Sequence, residues 1–192
     1  EIFSNVASGF QLMISNWSSM FIVDSAKMIT QWHWGELLFG NLSFSFSVSN
    51  LFLTFISAIS VVVFPTLKRM KQEDLPTLYK DIRNALSPLL ILAMVLYFPG
   101  CQILKVWLPQ YTPSLTYLGV IFPIIIYSSK FSLLTNNFLK AYRQEKQLLV
   151  INLLSVVSGI FLYIVSAGIF DNLMLLLLCA VVVCMFRSIV TE

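Results

Sequence analysis

Long apolar runs are the feature that most constrains this chain. The stretches near 147–169 and 172–190 are joined by "GIFDN" (168–172), a turn too short for anything but an antiparallel helical hairpin. Crossing a bilayer takes about 20 consecutive apolar residues at 1.5 Å rise each. By that measure six stretches qualify, near 3–28, 36–64, 85–106, 114–138, 147–169 and 172–190. The first is the weakest, because "SNVASGFQLMISNWSSM" is rich in serine and asparagine.

Composition excludes a water-facing surface for most of the molecule. Hydrophobic residues make up 58% of the 192, charged residues 11%, and the mean hydropathy is +0.84. A soluble domain carries about 25% charged residues. Lipid is therefore the expected solvent, and the expected fold is an all-α polytopic bundle, residues 1–192 forming one unit of six transmembrane helices. The chain begins at Glu1, enters an apolar segment almost at once and has no charged leader or small-residue cleavage site, so it is expected to be a piece of a longer protein. Cys101, Cys179 and Cys184 lack metal-ligand spacing and read as small buried hydrophobes. His33, the sole histidine, lies between Trp32 and Trp34 and reads as part of an interfacial aromatic anchor. Neither metal nor cofactor is expected.

Basic residues set the expected orientation. Lys68, Arg69, Lys71, Lys80 and Arg83 follow the second stretch, Lys140, Arg143 and Lys146 follow the fourth, and Arg187 lies at the far end of the sixth. The opposite connections hold only Lys27 and Lys105. The positive-inside rule then puts both chain ends and the loops at 65–84 and 139–147 in the cytoplasm. Within the first loop, Leu78, Ile82, Ala85 and Leu86 share a helical face, with Lys80, Asp81, Arg83 and Asn84 opposite. Segment 73–86 is thus either an amphipathic helix on the inner interface or an ordinary helical connection. In the first case Lys68, Arg69, Lys71, Lys80 and Arg83 face anionic headgroups. On the other side, "KVWLPQYTPS" (105–114) reads as an aromatic-anchored turn.

Two helices carry polar stripes. Ser4, Ser8, Gln11, Ser15 and Ser18 recur at steps of 4, 3, 4, 3, and so do Ser43, Ser47, Asn50, Thr54 and Ser57. Such stripes serve either close packing between membrane helices or the wall of a wet cavity. Gln11 and Asn50 are larger than close packing needs. Asp24 and Lys27, at the end of the first stretch, are expected to snorkel or to pair with each other. Lys130 lies within "IIIYSSKFSLLTNN" (124–137), where a lysine near mid-membrane costs about 2.5–3.5 kcal/mol. Counted from Ser114, it is roughly 24 Å along a core of about 30 Å, so it either faces a cavity or snorkels to inner phosphates. Pro123 before it introduces a bend, and Asn136 and Asn137 extend the polar character. The candidate cavity residues are Lys130, Gln11, Asn50, Asn136 and Asn137. No catalytic constellation is present, so no enzyme is expected, and nothing suggests a nucleic-acid partner.

The segments "SNWSSMFIVDSAKMI", "FGNLSFSFSVSNL", "ISVVVFPTLKRM", "WLPQYTPSLTYLGVIFPIIIYSSK" and "NNFLKAYRQEKQLLVINLLS" resemble, in order, successive helices of prokaryotic polysaccharide flippases. These belong to the multidrug/oligosaccharidyl-lipid/polysaccharide exporter superfamily. Leu108, Pro109 and Tyr111, then Tyr142, Lys146 and Asn152, match the family pattern in order, and the resemblance covers nearly the whole chain. It implies two six-helix lobes around a central cavity of alternating access, with this chain as the second lobe and an N-terminal lobe as its partner. It also implies a lipid-linked oligosaccharide substrate, flipped from the cytoplasmic to the external leaflet of the inner or plasma membrane. A generally cationic cavity would make Lys130 a candidate for the diphosphate. A multidrug extruder of the same superfamily would instead need an intramembrane acid, for which only Asp24 offers itself. A non-transporting scaffold would use the stripes for packing alone.

Overall fold

The computed structural model describes the backbone of residues 2–69 and 75–191. It describes their side chains except at 2–5, 7, 8, 55–57, 59–68, 75, 89 and 93. Lys71, Glu73 and Asp74, and the side chains of Ser4, Ser8, Ser57 and Lys68, lie outside the described residues. The described chain is helical throughout: α1 (Ile2–Trp34), α2 (Glu36–Arg69), α3 (Leu75–Trp107), α4 (Thr112–Lys130), α5 (Asn136–Ala141), α6 (Glu145–Gly168) and α7 (Leu173–Val190). A 3-10 turn, Pro109–Tyr111, precedes α4, and a π-helical turn, Phe131–Thr135, joins α4 to α5 without a break.

Local chemistry explains where the helices stop. A single residue, Gly35, separates α1 from α2, at φ +87°, a conformation glycine adopts without a Cβ penalty. Its N–H still reaches Gln31 O at 3.1 Å, so the reversal leaves few backbone groups unpaired. Beyond the last residue of α5, Arg143 holds φ 56° and stops the helix. There the Arg143 N–H donates to Lys140 O at 3.3 Å and the Gln144 N–H to Leu139 O at 2.9 Å, the paired bonds of a Schellman cap. Helix α7 starts at Asn172, whose side chain accepts from the Leu175 N–H at 3.2 Å as an N-cap.

Five of the helices are long and apolar enough to cross a membrane: 36–54 within α2, 76–107, 109–141, 145–168 and 173–190. They fit a multi-pass membrane protein. With 33 residues α1 is long enough, but its serines and asparagines keep it short of the same apolarity. The helices alternate in direction. His33 at the end of α1 meets Asp171 in the α6–α7 turn at 3.0 Å, and Phe44 near the start of α2 stacks on Tyr111 at 4.3 Å. These contacts, with Trp32 and Trp107 exposed nearby in sequence, define an aromatic end. The start of α3, the end of α5 and the end of α7 meet at the other, basic end.

Around Tyr163, Ile121, Leu176, Leu177 and Ala180 the main core joins α1, α2, α4, α6 and α7. Tyr163, fully buried, donates its hydroxyl to Ile22 O at 3.3 Å across α6 and α1. Between α2 and α4, Ser45 Oγ donates to Ser114 O at 2.6 Å and Ser114 Oγ to Asn41 Oδ1 at 3.1 Å. Interhelical hydrogen bonds of this kind are worth about 0.6–2 kcal/mol each in a membrane.

Two expectations need correction. The described part of segment 73–86, from Leu75, is not separate from the third span but is the first part of α3. Its apolar face, Leu78, Ile82 and Leu86, packs on Leu133, Leu134 and Phe138 instead of on lipid. Pro88 removes the backbone bond to the Asn84 carbonyl without ending the helix, and Ser87 Oγ donates to the Arg83 carbonyl at 2.9 Å. Nor do Asp24 and Lys27 end the first helix, since α1 runs on to Trp34.

Candidate functional site

The two polar stripes diverge in use. On α1, Ser15 and Ser18 are buried and Gln11 is half-buried. Asn152 of α6 donates its Nδ2 to Ser15 Oγ at 2.7 Å and to Ser15 O at 3.1 Å, so this stripe is a packing seam between α1 and α6. On α2, Ser47, Asn50 and Thr54 are exposed. Ser47 and Thr54 turn their hydroxyls back to the carbonyls of Ser43 and Asn50, at 2.9 and 2.8 Å, which leaves Asn50 as the outward polar group.

Asn50 opens onto a cavity of about 300 Å³. Helix α1 supplies Ser19, Asp24 and Lys27 to its wall, and α2 supplies Asn50 and Leu53. The segment from α4 to α5 supplies Ser128, Phe131, Ser132 and Asn136, and α7 supplies Cys184 and Arg187. The π turn decides which polar residues face inward. At 100° per residue an uninterrupted α-helix would place Thr135 in line with Ser128 and turn Asn136 about 80° away. The extra residue of the π turn brings Asn136 onto the cavity face instead, with the Asn136 N–H bonded to Phe131 O. Asn137 is rotated off and buried, donating Nδ2 to Leu133 O at 3.0 Å.

Of the five sequence candidates, Asn50 and Asn136 share this cavity, and Lys130, Gln11 and Asn137 do not line it. Lys130 stands two residues from both Ser128 and Ser132, roughly 200° around the helix from the cavity face. It is half-buried, and no ion pair to it occurs among the described residues. Among the expected headgroup contacts, Arg69, Lys80 and Arg83 are exposed.

The cavity's charge comes from residues that sequence reasoning set aside. Lys27 Nζ pairs with Asp24 Oδ1 at 3.2 Å and lies 5.2 Å from the Phe46 ring centroid. That pair is neutral, so Arg187 leaves the wall with one net positive charge. Arg187 is only 4% exposed. Its Nη1 donates to Ser19 Oγ at 2.8 Å, and its guanidinium carbon stands 4.0 Å over the Phe131 ring. Its Nε has no partner among the described residues. Burying an ion costs several kcal/mol even after relaxation. The hydrogen bond returns about 1.5–3 kcal/mol and the ring about 2. The unmet Nε donor adds a further penalty of about 1–3 kcal/mol. The buried charge therefore keeps one unmet donor. Counting Arg187 as a terminal cation hid it. The available signal was that it is the sole charge in α7 and lies a turn inside the helix end.

Comparisons with models of protein families, with characterised proteins and with solved structures find no match to this chain.

Proposed function

We propose that this chain forms one lobe of a membrane transporter that flips polyprenyl-diphosphate-linked oligosaccharide units from the cytoplasmic to the outer leaflet for polysaccharide and cell-envelope biosynthesis. It does so by alternating access, as a transporter and not a catalyst, and with an N-terminal lobe closing the other side of the cavity. The observation that carries this reading is the buried Arg187 on the cavity wall, uncompensated by any carboxylate pair among the described residues. A cation kept at such cost in an apolar helix suits an anionic cargo. Asn50 and Asn136 across the cavity suit the hydroxyls of a sugar or the oxygens of a phosphate. In the orientation expected from the basic loops, Arg187 lies one turn from the cytoplasmic end of α7, where the diphosphate of an inner-leaflet substrate would enter. The sequence resemblance points to the same cargo.

One observation favours a second reading. Asp24 also lines the cavity, as a multidrug extruder of the same superfamily would require. Its pairing with Lys27 argues against a free acid for a cationic drug. The test is translocation by the full-length protein in proteoliposomes, with a polyprenyl-diphosphate disaccharide and a lipophilic cationic dye offered separately. Movement of the disaccharide, lost in Arg187→Ala and kept in Asp24→Asn, is the expected result. Movement of the dye, lost in Asp24→Asn, would establish the extruder. Movement of neither would leave a scaffold.

A further inference from the structure

A second pocket, of about 440 Å³, lies at the basic end, outside the cavity just described. One wall is the first turns of α3, with Tyr79, Lys80 and Arg83; the facing wall is α5 and its cap, with Phe138, Tyr142 and Gln144. Spaced three residues apart, Lys80 and Arg83 share a helical face. The apolar residues beside them are docked on Leu133, Leu134 and Phe138, and that docking fixes the two cations on the pocket's rim instead of leaving them on a free helix. No ion pair to either cation occurs among the described residues. The pocket is mostly apolar below them, where Tyr79 meets Phe138 edge-on at 5.1 Å between centroids.

We propose that this pocket binds one phosphate-bearing headgroup, that of an anionic membrane phospholipid. Lys80 and Arg83 hold the phosphate, and the ring-lined part receives the glycerol and the start of the chains. Two cations on a fixed face above an apolar slot match a group that is anionic at one end and apolar at the other. Thr191 borders the same pocket and donates Oγ1 to Arg187 O at 2.8 Å. A bound headgroup thus bears on the last turn of α7, the turn that carries Arg187. The proposal does not depend on what the central cavity transports.

The test uses the full-length protein purified in mild detergent from membranes containing phosphatidylethanolamine, phosphatidylglycerol and phosphatidylcholine, with retained lipids counted by native mass spectrometry. The wild type should retain phosphatidylglycerol over phosphatidylcholine. Lys80→Ala with Arg83→Ala should reduce that preference roughly 10–30-fold, taking about 1 kcal/mol per cation. Lys80→Arg with Arg83→Lys should keep it, and so should Lys105→Ala at the opposite end. Both cations are exposed, so unchanged circular dichroism in the double alanine variant is expected. If it misfolds, Lys80→Gln with Arg83→Gln takes its place. Inorganic phosphate and glycerol phosphate form the second arm: displacement of the lipid by either at comparable concentration would show a site for a soluble phosphate and overturn the lipid assignment. Equal retention of phosphatidylglycerol in the wild type and the charge-free variant would overturn the proposal, as would equal retention of the two lipids by the wild type.

Discussion

Replacing Arg187 with methionine separates a residue kept for function from one kept for stability. The loss side holds the Ser19 hydrogen bond, about 1.5–3 kcal/mol, and the contact with the Phe131 ring, about 2. The gain side holds the several kcal/mol spent on burying the charge and the unmet Nε donor. Methionine also refills much of the space, and its sulfur recovers about 0.3–1.5 kcal/mol against the ring. Replacing a buried ion by an apolar residue of similar volume is often neutral or stabilising by about 1–4 kcal/mol. Arg187→Met should therefore leave the thermal unfolding midpoint in detergent unchanged or raised, while translocation is lost. Ser19→Ala makes the sharper comparison. It removes the sole protein hydrogen bond recorded for the guanidinium among the described residues but leaves the charge buried, so it should lower the midpoint more than Arg187→Met does. The double variant should match Arg187→Met alone. If Arg187→Met instead lowers the midpoint well below that of Ser19→Ala, or translocation survives it, Arg187 is a strut and the cavity reading fails.

Other consequences can be checked in a background with the three native cysteines replaced. Cysteine at Asn50 or Asn136 should react with a membrane-impermeant thiol reagent in the open state, and cysteine at Asn137 or Asn152 should not; the reverse pattern would contradict this placement of the four side chains. Asn152→Leu removes two hydrogen bonds to Ser15 and should cost about 1–2 kcal/mol, with little added by Ser15→Ala; full additivity in a double-mutant cycle would refute the direct contact. A Cβ at Gly119 would stand 2.9 Å from the Tyr97 hydroxyl oxygen, so Gly119→Ala should be near neutral, the helix gain of about 1 kcal/mol being spent on the contact. In a Tyr97→Phe background the same change should become stabilising, and no such difference would show that Tyr97 moves freely.

Much of this molecule is set by the sequence alone. Apolar runs in a chain with 11% charged residues fit lipid as the solvent, where only helices and closed barrels satisfy the backbone, and unbroken runs of this length select helices. "GIFDN" forces a hairpin, and Asn172 caps the helix that follows it. The i, i+3 spacing of Asp24 and Lys27 matches the ion pair between them. These are local matters, decided by hydropathy, propensity and short-range hydrogen bonds. What tertiary structure decided is the facing of polar groups. The stripes of α1 and α2 have the same spacing, yet Ser15 of one is sealed against Asn152 and Asn50 of the other lines the cavity, because burial depends on the neighbour and not on the stripe. Asn136, and not Thr135, comes into line with Ser128 because a π turn shifts the register by one residue, and a heptad count drawn on an ideal helix cannot contain that shift. Likewise the face of Leu78, Ile82 and Leu86 meets Phe138 rather than lipid, since both are apolar and only packing chooses between them. Arg187, the sole charge of the last helix, reads as an end cation until α1 and the π turn close over it, since a charge's cost is set by what surrounds it.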